Sequence, residues 1–220
     1  MMAVTAYLVR HGQTYMNLYN KVQGWIDSPL TSKGIQDAQD AGERLSKISF
    51  DAAFTSDSGR AIETGRQILK KNPNGINIIT YQFPELREQF HGYFEGENLE
   101  QMWQFVGEQV QITNEAGVLD NFGLERARDL IAKADLYNNA EDNKRFWDRL
   151  DRGFDRIREN TKDDEVILIV SHGMTIRSIV DRYAPELDQG QAAKNGSITK
   201  LRILPETIEV EYYNKLDSDV

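Results

Sequence analysis

Two histidines, two arginines and one of several glutamates stand in this chain where they could act together on an anionic ligand. Arg10 and His11 end the apolar part of Thr5-Ala-Tyr-Leu-Val-Arg-His-Gly-Gln-Thr14, and His172 stands in Val170-Ser-His-Gly173. Each histidine follows a short apolar run and precedes a glycine that breaks it. Taken singly, either one is also readable as an ordinary polar residue opening a loop. Arg60 follows Ser56-Asp-Ser-Gly59, and Glu88 lies in Pro84-Glu-Leu-Arg-Glu-Gln-Phe-His-Gly-Tyr-Phe-Glu-Gly96. Two guanidinium groups and two imidazoles brought together can bind the peripheral oxygens of a phosphoryl group and neutralise the charge that builds during its transfer. Cations beside a neutral imidazole keep it unprotonated, so it can serve as a nucleophile. A carboxylic acid would then protonate the leaving oxygen. Glu88 is the candidate for that part, with Glu85 and Glu95 as competitors. Asn17 and Gln23 are amide donors near enough in sequence to reach an anion at His11, and His91 reads as a packing or edge residue.

The elements that must carry these residues alternate between strand and helix. Tyr7-Leu-Val9 and Val166-Ile-Leu-Ile-Val170 read as buried strands that deliver Arg10, His11 and His172 to their carboxyl ends, where open α/β sheets bind ligands. Met174 to Tyr183 has a helical pattern. Between Tyr15 and Leu30 no period is clear, and a loop is expected. Thr31 or Ser32 caps a helix with Ile35, Ala38, Ala41, Leu45 and Ile48 on one face. Ala52-Ala-Phe-Thr55 is a short strand, followed by a helix carrying Ala61, Ile62, Gly65, Ile68 and Leu69. Arg60 falls in the first turn of that helix, where the macrodipole disfavours a cation, so it reads as serving a bound anion. Ile76 to Tyr81 is a third apolar run. From about residue 97 to 160 the pattern is helical and charged, which suggests an insertion or lid over the sheet edge, with Thr113 to Phe122 joining two helices and no second core. Ser197 to Leu204 and Thr207 to Tyr213 form a plausible hairpin around Pro205, and Asp217 to Val220 reads as a frayed end.

With 220 residues, 40% of them hydrophobic, the chain can bury one sizeable core, and a single domain over 1–220 is expected. It has no cysteine, hence no disulfide and no thiolate metal site. No segment reads as a secretory signal or a membrane span, and a cytoplasmic location is expected. The net charge of −9 argues against nucleic-acid and acidic-membrane surfaces as partners. An anionic ligand must be met by a local cationic pocket, and a small phosphorylated metabolite is the expected partner. No histidines lie at metal-binding spacing on one helix, arginines at the site would repel a divalent ion, and no glycine-rich dinucleotide turn follows a strand. No metal and no cofactor are expected.

Leu8-Val-Arg-His-Gly-Gln-Thr14, Ser56-Asp-Ser-Gly-Arg-Ala61, Leu86-Arg-Glu88 with Phe90-His-Gly92 and Glu95-Gly96, and Val170-Ser-His-Gly173 resemble, in this order, the signatures of the histidine phosphatase (phosphoglycerate mutase-like) superfamily. The resemblance spans Leu8 to about Leu201. It implies a three-layer α/β/α sandwich around a mainly parallel sheet. It also implies that His11 is phosphorylated, that Arg10, Arg60 and His172 hold the phosphoryl group, and that Glu88 is the proton donor. By the same resemblance Asn17 adds a phosphate contact, and Gln23-Gly24 matches the next family step. Mutases of this family continue the glutamate motif with an Arg, a Tyr and a Lys that grip phosphoglycerate, where this chain has Gln89, His91 and Leu99. The resemblance therefore implies a metal-independent phosphatase acting on a phosphomonoester. A cofactor-dependent phosphoglycerate mutase is the alternative, and a non-catalytic phospholigand-binding module is a further one.

Overall fold

The computed structural model describes residues 3–188 and 190–217, leaving aside the side chain of Ile76. Four parallel strands make most of one sheet: β1 (Val4–Arg10), β2 (Ala52–Thr55), β3 (Ile79–Gln82) and β4 (Val166–Ser171). A hairpin of β5 (Ile198–Ile203) and β6 (Ile208–Lys215) adds antiparallel to β1, giving the order β3-β2-β4-β1-β5-β6. The expected mainly parallel sheet is thus present. The helices are α1 (Tyr15–Leu18), α2 (Ser32–Arg44), α3 (Gly59–Leu69), α4 (Leu99–Gly107), α5 (Glu115–Ala134), α6 (Asn143–Glu159) and α7 (Gly173–Tyr183).

Alternation along the strands divides the apolar side chains between the two faces of the sheet. Ala6 and Leu8 of β1, Phe54 of β2 and Ile167 and Ile169 of β4 pack with Phe146, Leu150 and Phe154 of α6 and Ile176 and Ile179 of α7. On the other face Tyr7, Val9, Ala53, Leu168 and Val170 meet Ala41 and Leu45 at the end of α2, and Ala61 and Ile68 of α3. These are the three layers.

The helical region expected over about 97–160 divides differently. The stripe of α6 belongs to the sheet's own layer, so only the chain up to the start of α6 stands apart from it. That part has a core of its own, built from Val22, Phe94, Met102, Trp103, Val106, Val118, Leu130 and Ile131. The expectation of no second core is corrected by this cluster, whose members are spread over a hundred residues and leave no contiguous apolar run to read. Three local expectations also change. Tyr15–Leu18 is a short helix rather than loop, because Thr14 and Asn17 form a reciprocal capping box. Glu115 to Phe122 is helical rather than a joint, with Asn114 accepting from the Gly117 amide as cap and Gly123 alone leaving the helix at φ 70°. The third apolar run is a strand only from Ile79, at the sheet edge, where Ile79 is exposed; Gly75–Asn77 is a 3-10 turn. Of the stretch expected to fray, residues 218–220 lie outside the described part. Among the described residues no helix is long and apolar enough to cross a membrane.

Candidate active site

Strand register brings the two histidines together. Arg10 of β1 is the direct partner of Ser171 of β4, and the His11 amide donates to the Ser171 carbonyl at 3.1 Å, so His11 and His172 leave neighbouring strands side by side. Their ring centroids are 5.2 Å apart. One strand further over, the Ser56 amide donates to the Val170 carbonyl, which places the Ser56 hydroxyl 2.8 Å from His172 Nε2. Both rings are buried.

Hydrogen bonds fix the protons on both rings. His11 Nδ1 lies 2.8 Å from the Gly12 carbonyl, an acceptor, so Nδ1 carries the hydrogen and Nε2 keeps its lone pair. Burial, followed by the charges of Arg60 and Arg10, lowers the His11 pKa well below 6.5. His11 is therefore a neutral imidazole with an unshared pair at Nε2. The Arg60 guanidinium, which can only donate, reaches His172 Nδ1 at 3.0 Å, which leaves His172 Nε2 as the donor to Ser56. Burial and Arg60 hold the His172 pKa well below 6.5 as well. Neither ring nitrogen of His172 is left over for a ligand in this arrangement; it orients Arg60.

Arg60 is clamped through both terminal nitrogens and Arg10 is held through one, and each keeps a buried, unpartnered Nε. Arg60 donates to Asp27 Oδ1 (2.9 Å) and to the Ile26 (3.0 Å) and Gly24 (2.6 Å) carbonyls, while its Nε is buried without a partner. The reading of Arg60 as a cation kept for an anion needs correction in part, because Asp27 pairs with it and also caps α3 through the Gly59 amide at 2.6 Å. Arg10 donates through Nη1 to the Ala193 carbonyl, and its Nε too is buried and unpartnered. A buried donor without an acceptor is costly, and two of them on arginines beside His11 suit an anion that completes them. Gly173 lets this happen: a Cβ there would lie 3.0 Å from Arg10 Cζ.

Among the three glutamates the geometry separates the roles. Glu85 pairs with Arg156 at 2.7 Å. Glu95 accepts from the amides of Gly24, Trp25, Ile26 and His91, holding the 24–26 loop in place. Glu88 is buried and lines the cavity beside Arg10. Its Oε1 accepts from the Gln89 amide (3.0 Å), the Thr175 amide (2.9 Å) and the Thr175 hydroxyl (2.8 Å), whereas Oε2 accepts only from the Met174 amide at 2.9 Å. The amino terminus of α7 thus grips the carboxyl group, and Oε2 is the oxygen with room for a proton. Arg149, paired with Glu141, donates to the Glu85, Arg87 and Glu88 carbonyls and pins this loop from below.

The cavity holds about 230 Å³. Arg10, Asn17, Gln23, Glu88 and Gly173 form one end of its lining, and His11, Arg60 and His172 are buried and not among the lining residues. Asn17 Oδ1 serves the Thr14 amide, so its NH2 is the group for a ligand. Gln23 accepts from Thr14 and donates to Ser28, which spends both ends of its amide inside the loop. Gly24 is needed for close packing, since a Cβ would stand 2.1 Å from the Gln89 carbonyl oxygen. The other end lies under the helical region and is mostly apolar, with Leu99, Met102, Trp103, Leu124 and Ile131 in it. Gln89, His91 and Leu99 all line the cavity. The sequence assigns Ser56, Asp27, Thr175 and Arg149 no role at the site: Ser56 stands only within the motif before Arg60 and Thr175 within a helical pattern, while nothing local marks Asp27 or Arg149. Among the described residues no three His, Asp or Glu side chains gather into a metal-type cluster.

Comparison with known proteins agrees with this architecture. Residues 6–216 match the model of the histidine phosphatase superfamily (branch 1). A crystal structure of phosphoglycerate mutase from Bacillus anthracis superposes with a TM-score of 0.92 at 34% identity, covering 99% of this chain and 95% of that one. A 2,3-bisphosphoglycerate-dependent phosphoglycerate mutase from Allorhizobium ampelinum is 35% identical over 183 residues, 81% of this chain and 79% of its own. The alpha-ribazole phosphatase from Shigella flexneri shares the fold, with a TM-score of 0.70 at 23% identity over 98% of both chains.

Proposed function

The chain belongs to the histidine phosphatase superfamily, and on that premise we propose that it is a phosphomonoesterase that works through a phosphohistidine on His11. The observation that carries the proposal is the His11 ring itself: neutral, hydrogen-bonded at Nδ1, with Nε2 unshared and the charges of Arg10 and Arg60, each with an unpartnered Nε donor, acting on it. In the first step Nε2 attacks phosphorus and the P–O ester bond breaks. The leaving oxygen takes the proton from Glu88 Oε2, which yields an alcohol, a phosphorylated His11 and a Glu88 carboxylate. In the second step water attacks phosphorus and the P–N bond breaks. Glu88 recovers a proton from that water, and inorganic phosphate leaves. The transferring group is bound mainly by charge, so Arg10, Arg60 and the Asn17 amide act by position and electrostatics. His172 and Ser56 act one contact further out, by aiming Arg60.

Hydrolysis, rather than mutase chemistry, is supported by Gln89, His91 and Leu99 in place of the mutase grips and by the apolar walls of the cavity's far end. The mutase reading has its own support, because relatives at 30% identity and above carry that name. A single pair of assays separates them: release of inorganic phosphate from p-nitrophenyl phosphate, and phosphoglycerate isomerisation primed with bisphosphoglycerate. Phosphatase turnover is expected to exceed mutase turnover. The reverse ratio would assign the chain to the mutases.

A further inference from the structure

Asn195 and Gly196 make the turn that leads into β5, and Asn-Gly is ordinary turn chemistry. The Asn195 side chain does something the turn does not require. Its Nδ2 donates to the His11 carbonyl at 2.9 Å and reaches Asn17 Oδ1 at 3.4 Å. Both hydrogens of one amide are thereby spent on the residue that would attack phosphorus and on the residue whose NH2 is kept for the ligand.

The peptide between His11 and Gly12 is held at both ends. Asn195 takes its oxygen, and its N–H donates to the Thr64 hydroxyl at 3.0 Å, which itself donates to the Arg60 carbonyl at 2.7 Å. The next carbonyl along, that of Gly12, accepts from His11 Nδ1. The direction of His11 Nε2 therefore depends on how this peptide is set. On the other side, Asn17 Oδ1 accepts from the Thr14 amide at 3.2 Å as well as from Asn195, and two donors fix which way that amide is turned. We propose that Asn195 is a positioning residue for phosphoryl transfer, setting the His11 ring and the Asn17 NH2 against each other through one amide. The proposal rests on the reading of His11 as the nucleophile.

The turn that carries Asn195 is itself pinned from both sides, as a positioning role requires. Towards the site, the Gly196 amide donates to the Arg10 carbonyl at 3.0 Å, the Arg10 amide donates to the Ser197 carbonyl at 3.2 Å, and the Ala193 carbonyl accepts from the Arg10 guanidinium. From behind, Arg44 at the end of α2 donates to the Gly196 carbonyl at 2.8 Å, and Asn214 of β6 accepts from the Lys194 amide at 2.7 Å. Gly196 has φ 70°, and a Cβ there would stand 2.7 Å from the Asp37 carbonyl oxygen, so the turn sits hard against α2. The hairpin and α2 thus hold Asn195 against the end of β1.

Asn195→Ala should lower kcat/KM for p-nitrophenyl phosphate about ten- to a hundred-fold, the scale of a small misplacement of reacting groups. Asn195→Asp keeps the shape, but its carboxylate has no hydrogen to donate and faces two acceptors, so it should lose more. A double-mutant cycle separates positioning from folding. In the Asn17→Ala protein the Asn195→Ala loss should shrink by about three-fold or more, because one of its two routes is already gone. Asn195→Asp takes alanine's place in the cycle if the alanine variant melts below the assay temperature. Near-normal kcat/KM in both Asn195 variants, or losses that simply multiply with that of Asn17→Ala, would overturn the assignment. Unfolding of both variants would overturn it too, by making Asn195 a residue of the fold alone. His11→Ala is assayed alongside: if it is inactive while the Asn195 variants are not impaired, the positioning role fails by itself, whereas an active His11→Ala protein removes the nucleophile and the positioning role with it.

Discussion

Glu88 is the residue on which reaction type turns, because expelling an alkoxide without a proton is slow whereas a nitrophenolate departs unaided. Glu88→Gln should therefore slow hydrolysis of an alkyl phosphate severely, by about a hundred-fold or more, and spare p-nitrophenyl phosphate. The substitution also sets an amide NH2 against the Met174 or Thr175 amide, so some loss common to both esters is expected. The difference between the esters is the test, and equal losses would make Glu88 a binding or folding residue. His11 makes the second prediction at this scale. Its lowered pKa leaves more of the ring neutral on the acid side than an ordinary histidine, and kcat/KM reports the free enzyme. With p-nitrophenyl phosphate, kcat/KM should hold as the pH falls through 6.5 and decline only at more acid values. An acid limb centred on 6.5 and lost with His11 would show that the ring titrates as if exposed.

At the scale of elements, α7 does two things with its first turn: its amides fix Glu88, and its opening glycine makes room for Arg10. Gly173→Ala separates the second from the helix itself. Alanine suits a helix better than glycine, so the melting temperature should hold or rise, yet the new Cβ presses on the Arg10 guanidinium. Displacing a phosphoryl-positioning cation should cost about ten- to a hundred-fold in kcat/KM. A fully active Gly173→Ala enzyme would show that Arg10 need not sit where it does. Much of this is legible in the sequence. β1 and β4 are short apolar runs closed by His-Gly, and their parallel pairing follows from the strand-helix alternation between them. The capping box of α1 and the first half of α5 are hidden in the sequence for opposite reasons. α1 is a single turn, too short for any period to show, and in α5 the glycines at 117 and 123 look alike in sequence although only Gly123 departs from helix.

For the whole molecule, the sheet supplies two faces of core and the helical region a third cluster, with the cavity at their junction. This division explains what the sequence conceals. Residues at strand ends are brought together by register, which alternating patterns announce, so Arg10, His11, Arg60, Glu88 and His172 could be gathered on paper. Asp27 and Arg149 reach the site from a loop and a helix through packing between layers, and nothing in their neighbours specifies that packing. The third cluster is hidden likewise, since Val22 and Phe94 join it from outside the helices. The account as a whole stands on covalent chemistry at one nitrogen. The enzyme should be mixed rapidly with a phosphomonoester, quenched in alkali, digested and sequenced by mass spectrometry. A phosphoryl group that is stable to base, labile to acid and carried by the peptide containing His11, absent from the His11→Ala protein, is the predicted result; turnover with no phosphoenzyme, or with the phosphoryl group on another residue, would contradict it.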